Sequence, residues 1–389
     1  MRDYLKEYFI QVSPYNISFV TFHSLKRVFT SLFCSEELAR DLAFNLLDAF
    51  RSLHSIPIAH RDIKPENLLL KSMTNDTDLK IADFGFAVKV KHGTKLKTKC
   101  GTPSFVAPEL LFSRGYDHRA DLWSIGVTIY ILLAGYPPFQ GKTSKALFQQ
   151  IKSANFKFHD KYWHNVSTAA KKLVIGLLTP DPNRRLTSEQ ALASEWINTE
   201  RKELSDRSLD SALSEIRKFH ALRKLKGAVH GMRWAMSADF WNSNKGSGFS
   251  RTQFAKSASG FYDMKTAKSF RENYELQSKI SKGTFATVWK GIDRRTEKSI
   301  AVKAVNRANL SQKDDSAVLN EVSILQSLDH PNILRIFEFY EETDFFFIPM
   351  ELVLGGDVFS AIVRKNQYTE KVCLCADLSN NIIFLSYFH

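Results

Sequence analysis

The sequence predicts an α+β protein in which helices come first and strands come last. Apolar residues recur at helical spacing between Ser35 and His54, and residues 121–197 are mostly helical by the same pattern. Apolar and polar residues begin to alternate after residue 272, which is typical of strands. An apolar fraction of 44% over 389 residues excludes a chain that is disordered throughout. The alternating positions are Ile280, Val288, Ile300 and Val302.

Several helices have recognisable starts. Ser35 is predicted to cap the first helix, because a serine hydroxyl can accept a hydrogen bond from an amide of the first turn. Thr187 and Glu189 mark another helix start. Residues 205–236 form a further helical candidate, whereas residues 237–269 are rich in Ser, Lys and Gly and indicate a linker.

Strands and one more helix follow the linker. Asn320–Leu328 is predicted to be helical and Ile333–Met350 to form two strands. The longest apolar stretch, Ile125–Phe139, is broken by glycine and proline and is too short for a membrane span. It therefore predicts a buried core helix.

Charge and cysteine content narrow the partners and the compartment. The net charge of +13 favours acidic partners, and charge alone leaves nucleic acid, anionic membranes and acidic proteins open. The four cysteines have no metal-ligand spacing, and the first residues do not form a signal peptide. These features predict reduced thiols in a cytoplasmic protein, with the nucleus as the alternative.

Two sets of motifs carry the chemistry. The first set is HRDIKPEN over residues 60–67, DFG over 83–85 and APE over 107–109. The second set is ISKGTFATV over 280–288, AVK over 301–303 and Glu321. Together they resemble eukaryotic serine/threonine protein kinases, in which the second set normally precedes the first. The resemblance implies a helical C-lobe first and a small antiparallel β N-lobe with one long helix last, so that the lobes are in reversed order.

By this resemblance, the first set supplies catalysis. Asp62 would orient the substrate hydroxyl and accept its proton, and Lys64 would reach the transferred phosphate. Asn67 and Asp83 are the implied Mg²⁺ ligands. In the activation loop, Thr98 is the implied phosphorylation site, held by Arg61, and Thr102 lies in the loop that seats the target residue. Glu109 and Arg185 resemble a buried structural ion pair, and Asp121 resembles a brace of the catalytic loop.

The second set would bind ATP. Lys303 would hold the phosphates and pair with Glu321, Met350 would guard the back of the adenine pocket, and residues 351–353 would face adenine. The loop departs from the family pattern, because Ser281 and Ala286 replace two of its three glycines. The implied ATP-binding residues are Ile280, Gly283, Val288, Ala301, Lys303, Met350, Glu351, Val353 and Asp357. Asp357 and Glu66 together imply substrates with Arg or Lys upstream of the target Ser or Thr.

A basic segment separates the two sets. Residues 217–236 contain six Lys or Arg and no acid, with apolar residues on one helical face, which is typical of a calmodulin target or a membrane-surface helix. The segment also contains a basic cluster that a nuclear localisation signal would have. Its sequence resembles the regulatory tail of calcium/calmodulin-dependent protein kinases. That resemblance implies calmodulin anchors at Phe219, Leu225, Val229 and Trp234.

The apolar segment that ends at 52–54 is weakly repeated at 387–389, which suggests two tandem copies, the first without its N-lobe and the second without most of its C-lobe. About 70 residues separate the two lobes, and a flexible coil of that length spans roughly 45 Å, so the lobes can join within one chain or between two. The predicted division is 1–34 unassigned, 35–197 C-lobe, 198–236 regulatory segment, 237–271 linker, 272–366 N-lobe and hinge, and 367–389 the start of a second C-lobe.

Two functions follow from this organisation. The first is an ATP- and Mg²⁺-dependent serine/threonine protein kinase that calmodulin regulates, with no nucleic-acid partner and no membrane span. The second is an inactive tandem that only binds calmodulin or another kinase. The reversed lobes, the altered glycine loop and chain ends that cut across a helix favour the second, whereas the two sets of kinase motifs favour the first.

Overall fold

The computed structural model describes residues 35–91, 93–112, 115–205, 207, 209, 212–219, 221, 269–282, 286–310 and 312–363. The described residues before 222 are named the helical part, and those from 269 onward the sheet part. The predicted segments 1–34 and 367–389 lie outside the described residues, as do Gly283, Leu225, Val229 and Trp234.

The helical part is built around two long helices. The helices are α1 Glu36–Ser55, α2 Arg119–Ala134, α3 Ser144–Ser153, α4 Asp160–Trp163, α5 Thr168–Leu177, α6 Ser188–Leu192, α7 Glu195–Asn198, α8 Arg201–Ser205 and α9 over 212–219. Two short antiparallel pairs lie beside them: β1 Ile58–Ala59 with β4 Val88–Lys89, and β2 Leu68–Leu70 with β3 Leu79–Ile81.

The predicted helix starts are confirmed by their caps. The Ser35 hydroxyl accepts a hydrogen bond from the Leu38 amide at 3.2 Å, and α1 begins at the next residue. Thr187 also caps its helix, with Glu189 in the first turn, and the side chain of Gln190 completes a capping box by accepting from Thr187 N. The apolar stretch that contains Ile125 forms α2, in which every residue from Ala120 onward is buried. Among the described residues, no helix has the length and apolar character that crossing a membrane requires.

The sheet part is a five-stranded antiparallel sheet in the order β5-β6-β7-β9-β8. Its elements are α10 Phe270–Asn273, β5 Tyr274–Lys282, β6 Ala286–Asp293, β7 Ser299–Asn306, α11 Gln312–Gln326, β8 Tyr340–Glu341, β9 Phe345–Met350 and α12 over 358–363. The α+β class is therefore confirmed. α11 is longer than the predicted Asn320–Leu328, because the polar residues of its first turns hide the helical period.

The predicted linker 237–271 overlaps the sheet part. Phe270 begins α10 and is buried, with its ring stacked on Tyr274 at 5.4 Å and on Phe347 at 4.3 Å. These aromatic contacts order residues that composition alone assigns to a linker.

Backbone hydrogen bonds join the helical part to the sheet part. Leu70 N donates to Gly356 O at 2.9 Å and Gly355 N donates back to Leu70 O at 2.9 Å. On the next strand, Ile81 N donates to Asn332 O at 2.7 Å. The β2-β3 hairpin of the helical part thereby pairs with two segments of the sheet part.

Side chains join the two parts as well. The amide of Asn332 donates to Leu79 O at 2.9 Å, and that of Asn320 donates to Ala87 O at 2.9 Å. His330 Nε2 lies 3.2 Å from Asp48 Oδ2. A single cluster of buried apolar residues runs through both parts. The two parts are therefore packed against each other within one chain.

Candidate active site

The catalytic loop is held by the start of α2. Asp121 accepts hydrogen bonds from His60 N at 2.9 Å and from Arg61 N at 2.8 Å. Arg61 has a left-handed φ of 72°, and these two bonds help fix that strained backbone. Burial opposes the charge of Asp121, but the hydrogen bond from His54 and the nearby His60 ring keep its pKa lowered. The predicted brace is in place.

Asp62 lies at the centre of the site and is buried. Its Oδ1 accepts from Thr102 N at 3.1 Å and Thr102 Oγ1 at 2.8 Å. Its Oδ2 contacts Lys64 Nζ, and Lys64 Nζ also lies 3.3 Å from Thr102 Oγ1. A substrate hydroxyl that replaced the Thr102 hydroxyl would meet both a proton acceptor and a positive charge.

The predicted metal ligands lie close to Asp62. The Asn67 amide group donates to Asp62 O at 2.8 Å, which directs its carbonyl oxygen away from Asp62. Asp83 has a φ of 63° and an exposed side chain. Mg²⁺ is commonly held by one or two protein oxygens together with substrate phosphates, so this donor set fits Mg²⁺ that arrives with ATP.

The described residues hold no group of three or more His, Cys, Asp or Glu arranged for a metal. A site that depends on phosphate oxygens does not need such a group.

The predicted lysine and glutamate of the sheet part form an ion pair. Lys303 Nζ lies 2.7 Å from Glu321 Oε1 and 3.0 Å from Oε2. Burial opposes the charge of Lys303, but Glu321 and the carboxylate of Asp83 raise its pKa. A Cβ placed on Gly85 would lie 3.3 Å from Asp83 Oδ1 and 3.8 Å from Glu321 Oε2. The lysine of one part therefore faces the carboxylate of the other.

The predicted adenine pocket lies between β6, β7 and the end of β9. Ala301 pairs with Met350 across the sheet, and both side chains are buried. Val288 pairs with Lys303 and is half-buried. Ile280, near the end of β5, is 49% exposed. Val353 packs against the main core just after β9.

The two acids predicted to bind a basic residue of the substrate are Asp357 and Glu66. Asp357 forms an antiparallel bridge with Leu69, and its carboxylate caps α12 by accepting from Ser360 N at 3.0 Å. Glu66 is exposed three residues before Leu69. The preference for a basic substrate residue at these acids remains a prediction.

Arg61 reaches Thr98 through a tyrosine. Arg61 donates to Tyr116 Oη at 3.2 Å, and Tyr116 Oη donates to Thr98 O at 2.6 Å. Thr98 itself is exposed. Burial raises the pKa of Tyr116, so its hydroxyl keeps the proton that it donates.

The predicted structural ion pair between Glu109 and Arg185 is present in the helical part. Arg185 binds Glu109 through two hydrogen bonds of 2.7 Å and 2.9 Å.

Of the four predicted calmodulin anchors, only Phe219 lies in the described residues, half-buried with its ring 6.2 Å from that of Phe359.

Sequence reasoning missed four residues that support the site. Lys80 forms an ion pair with Glu351 at 2.8 Å, and Tyr116, Asn320 and Asn332 hold the activation segment or the junction between the parts. Asn332 lies in the sequence His-Pro-Asn-Ile over residues 330–333, to which no role was assigned. The other three have no local signal, because their partners are distant in sequence.

A protein-family model matches most of the chain. The family model described as protein kinase domain matches residues 12–197 and 274–385.

Several curated proteins are similar to parts of the chain. Myosin light chain kinase A of Dictyostelium discoideum is 46% identical over 165 residues, which are 42% of this chain and 56% of that protein. Calcium/calmodulin-dependent protein kinase type IV of Mus musculus is 41% identical over 204 residues, which are 52% of this chain and 43% of that protein. Type 1B of Homo sapiens is 42% identical over 197 residues, which are 50% of this chain and 57% of that protein. The chain thus spans about half the length of each of these relatives.

Proposed function

The chain belongs to the protein kinase domain family, and on this premise we propose that it transfers the γ-phosphate of ATP to serine or threonine in proteins. The observation that carries the proposal is the meeting of Lys303 and Glu321 with Asp83 at the junction of the two parts. Asp83 and Asp62 both act on the His60 ring, so the catalytic loop adjoins this junction. Phosphoryl transfer needs positive charge on the phosphates and an oriented nucleophile, and this junction can supply both.

The residues divide this work. Lys303, held by Glu321, would bind the phosphates from the sheet part, while Asn67 and Asp83 would hold Mg²⁺ from the helical part. Bound Mg²⁺ would neutralise the phosphate charge. Asp62 would accept the substrate proton, and Lys64 would stabilise the charge on the transferred group. The chain is similar to proteins named calcium/calmodulin-dependent protein kinase and to one named probable serine/threonine-protein kinase. This similarity supports serine or threonine as the residue that is phosphorylated.

The proposal includes the order of the lobes. The sheet part would serve as the N-lobe for the helical part that precedes it, within one chain. Three lines of contact support this: the backbone bonds of Leu70 and Ile81, the Lys80–Glu351 ion pair and the Asn320–Ala87 hydrogen bond.

Calmodulin regulation is a further element of the proposal. The basic segment 217–236 begins within the last helix of the helical part, and its one described anchor, Phe219, contacts Phe359 of the sheet part. Calcium-calmodulin that captured Phe219 would remove this contact.

The first test is phosphate transfer by the full chain to an Arg-x-x-Ser peptide. Activity that is lost in Asp62→Ala and equally in Lys303→Ala supports one site made from both parts. A wild-type chain that transfers no phosphate, yet is thermally stabilised by calcium-calmodulin and not by Mg-ATP, overturns the enzyme and favours a calmodulin-binding role.

The second test addresses the order of the lobes. A protease site introduced in the stretch 237–268 allows the chain to be cut after purification. If the two parts form one kinase, the cut pieces co-elute in size-exclusion chromatography and keep their activity. Pieces that separate on dilution and lose activity would contradict the joined arrangement.

A further inference from the structure

The activation segment carries an unusual density of positive charge. We name residues 89–99 the lysine segment, after Lys89, Lys91, Lys95, Lys97 and Lys99. Lys99 is half-buried and the other four are exposed. The sequence has no Asp or Glu between Asp83 and Glu109 that would neutralise this charge locally.

Only one of these lysines is paired within the described part of the chain. Lys95 contacts Asp117, whose pKa is lowered; burial opposes that shift, and the hydrogen bond from Lys95 drives it. The other four have no carboxylate within ion-pair distance among the residues that the structure describes. Their charge is therefore available to an acidic partner.

The lysine segment is anchored beside the reaction centre. Leu96 exchanges backbone hydrogen bonds of 2.7 Å and 3.0 Å with Tyr116, which also holds Thr98 O. Farther along the chain, the Thr102 hydroxyl lies 2.8 Å from Asp62. Because a residue spans at most about 3.6 Å of extended chain, Lys99 lies within roughly 11 Å of Thr102, and Lys97 within roughly 18 Å.

Charge of the opposite sign lies elsewhere around Asp62. Glu66 precedes β2, and Asp357 pairs through its backbone with Leu69 of β2, so both acids lie on elements separate from the lysine segment. A substrate that places a basic residue on these acids, upstream of its target, directs its downstream residues away from them. Downstream residues of an extended peptide advance about 3.3 Å each, so positions two to four after the target come within reach of lysine side chains.

We propose that the lysine segment binds acidic residues two to four positions downstream of the target Ser or Thr in a protein substrate. The proposal rests on the proposed kinase function and adds a substrate class to it. An acidic peptide is favoured over nucleic acid or membrane because the segment adjoins the seat of the substrate hydroxyl. Electrostatic complementarity at this place would contribute to specificity more than to raw affinity.

The test compares two peptides with the full chain. One has the sequence Arg-Ala-Ala-Ser-Ala-Glu-Glu-Glu and the other has Gln in place of each Glu. We expect kcat/KM to be about three- to tenfold higher for the Glu peptide at low salt, since exposed charge pairs contribute little individually and several act together. The ratio should fall as ionic strength rises.

Matched variants locate the effect. The double variant Lys97→Gln/Lys99→Gln should bring the Glu-to-Gln ratio toward one. Lys172→Gln/Lys298→Gln removes the same charge from α5 and from the turn between β6 and β7, and should keep the wild-type ratio. The ratio is taken within each variant, so a general loss of activity does not imitate the result.

Binding of the fluorescently labelled peptides is measured in parallel, and it separates the two proposals. If neither peptide is phosphorylated but the Glu peptide binds better through Lys97 and Lys99, the kinase proposal fails, whereas binding of acidic peptides by the lysine segment is supported. If both peptides are phosphorylated with equal kcat/KM and bind equally, the inference fails and the kinase stands. A preference that survives the double variant also overturns it. The inference is also overturned if the Glu-to-Gln ratio of kcat/KM is one while the wild-type chain binds phosphatidylserine vesicles or duplex DNA and the double variant does not.

Discussion

Lys80 Nζ lies 2.8 Å from Glu351 Oε1, and the pair joins β3 of the helical part to the end of β9 in the sheet part. The side chains are only 8% and 18% exposed. The Glu351 carboxylate also accepts from Arg335 N at 2.7 Å. Since Lys80 stands three residues before Asp83, this ion pair fixes the predicted adenine-binding backbone relative to the predicted metal ligand.

The first prediction concerns this ion pair. Lys80→Met should raise the KM for ATP more than it lowers kcat, because it leaves the Glu351 carboxylate without its cation and loosens the adenine pocket. Its cost in stability should be about 1–3 kcal/mol, between the values for exposed and buried pairs. Steady-state kinetics and denaturant unfolding measure the two effects.

A reversed pair is the control for this prediction. Lys80→Glu combined with Glu351→Lys restores opposite charges and should recover part of the ATP affinity, whereas either change alone should not. Equal damage in the single and double variants would show that the ion pair does not position the pocket.

Local patterns predicted the elements and motifs well, and they failed where contacts are distant in sequence. Ser35 and Thr187 predict where their helices begin, because a cap acts within one turn. Lys80 carries no such signal, since its partner is 271 positions away in the numbering. Composition places Phe270 in a linker, because its burial in an aromatic cluster is a tertiary property that the local sequence does not show. The meeting of Lys303 with Asp83 depends on the docking of two parts, which the sequence left open between one chain and two.

The second prediction concerns Lys303 and Glu321. Glu321→Gln should lower kcat/KM by about 10- to 100-fold, because a hydrogen bond to a charged group is worth roughly 1.5–3 kcal/mol. The same change should lower the pKa of Lys303, since burial then acts with only Asp83 left to oppose it. A larger fraction of free amine at pH 8–9 should make Lys303 react faster with an amine-specific acylating reagent.

Glu272→Gln is the matched control, because Glu272 is an exposed glutamate of α10 in the same part of the molecule. It should change neither kcat/KM nor the labelling of Lys303, as read by mass spectrometry. Unchanged labelling of Lys303 in Glu321→Gln would contradict the role assigned to Glu321.

The third prediction concerns acid pH. Burial lowers the pKa of His60 and of His118 below the ordinary value of 6.5, so the unfolded chain binds more protons than the folded one below that pH. Stability should therefore be complete above pH 6.5 and fall as pH drops from 6.5 toward the lowered values. Each histidine contributes a slope of at most about 1.4 kcal/mol per pH unit. Thermal unfolding between pH 5.5 and 7.5 measures the slope.

His118→Asn should reduce this slope, and His164→Asn, which changes an exposed histidine of the same part, should leave it as it is. The His118 ring contacts His54 at 4.6 Å, and Asp121 lies next to both histidines. A slope that persists unchanged in His118→Asn would place the titration elsewhere.

The fourth prediction concerns the contact between α2 and α9. Gly135 ends α2 with a φ of 82°, and a Cβ placed there would lie 2.1 Å from Ala212 O. Gly135→Ala therefore meets both a left-handed backbone and the first turn of α9, the helix that leads into the basic segment.

Gly93→Ala is a matched control, because Gly93 has a φ of 73° and a Cβ there meets nothing within 4 Å. Gly93→Ala should cost about 1–2 kcal/mol of unfolding free energy from the backbone alone. Gly135→Ala should cost clearly more, and amide hydrogen exchange should show faster exchange over 212–219 in that variant only. Equal costs in the two variants would mean that α9 does not rest on this glycine.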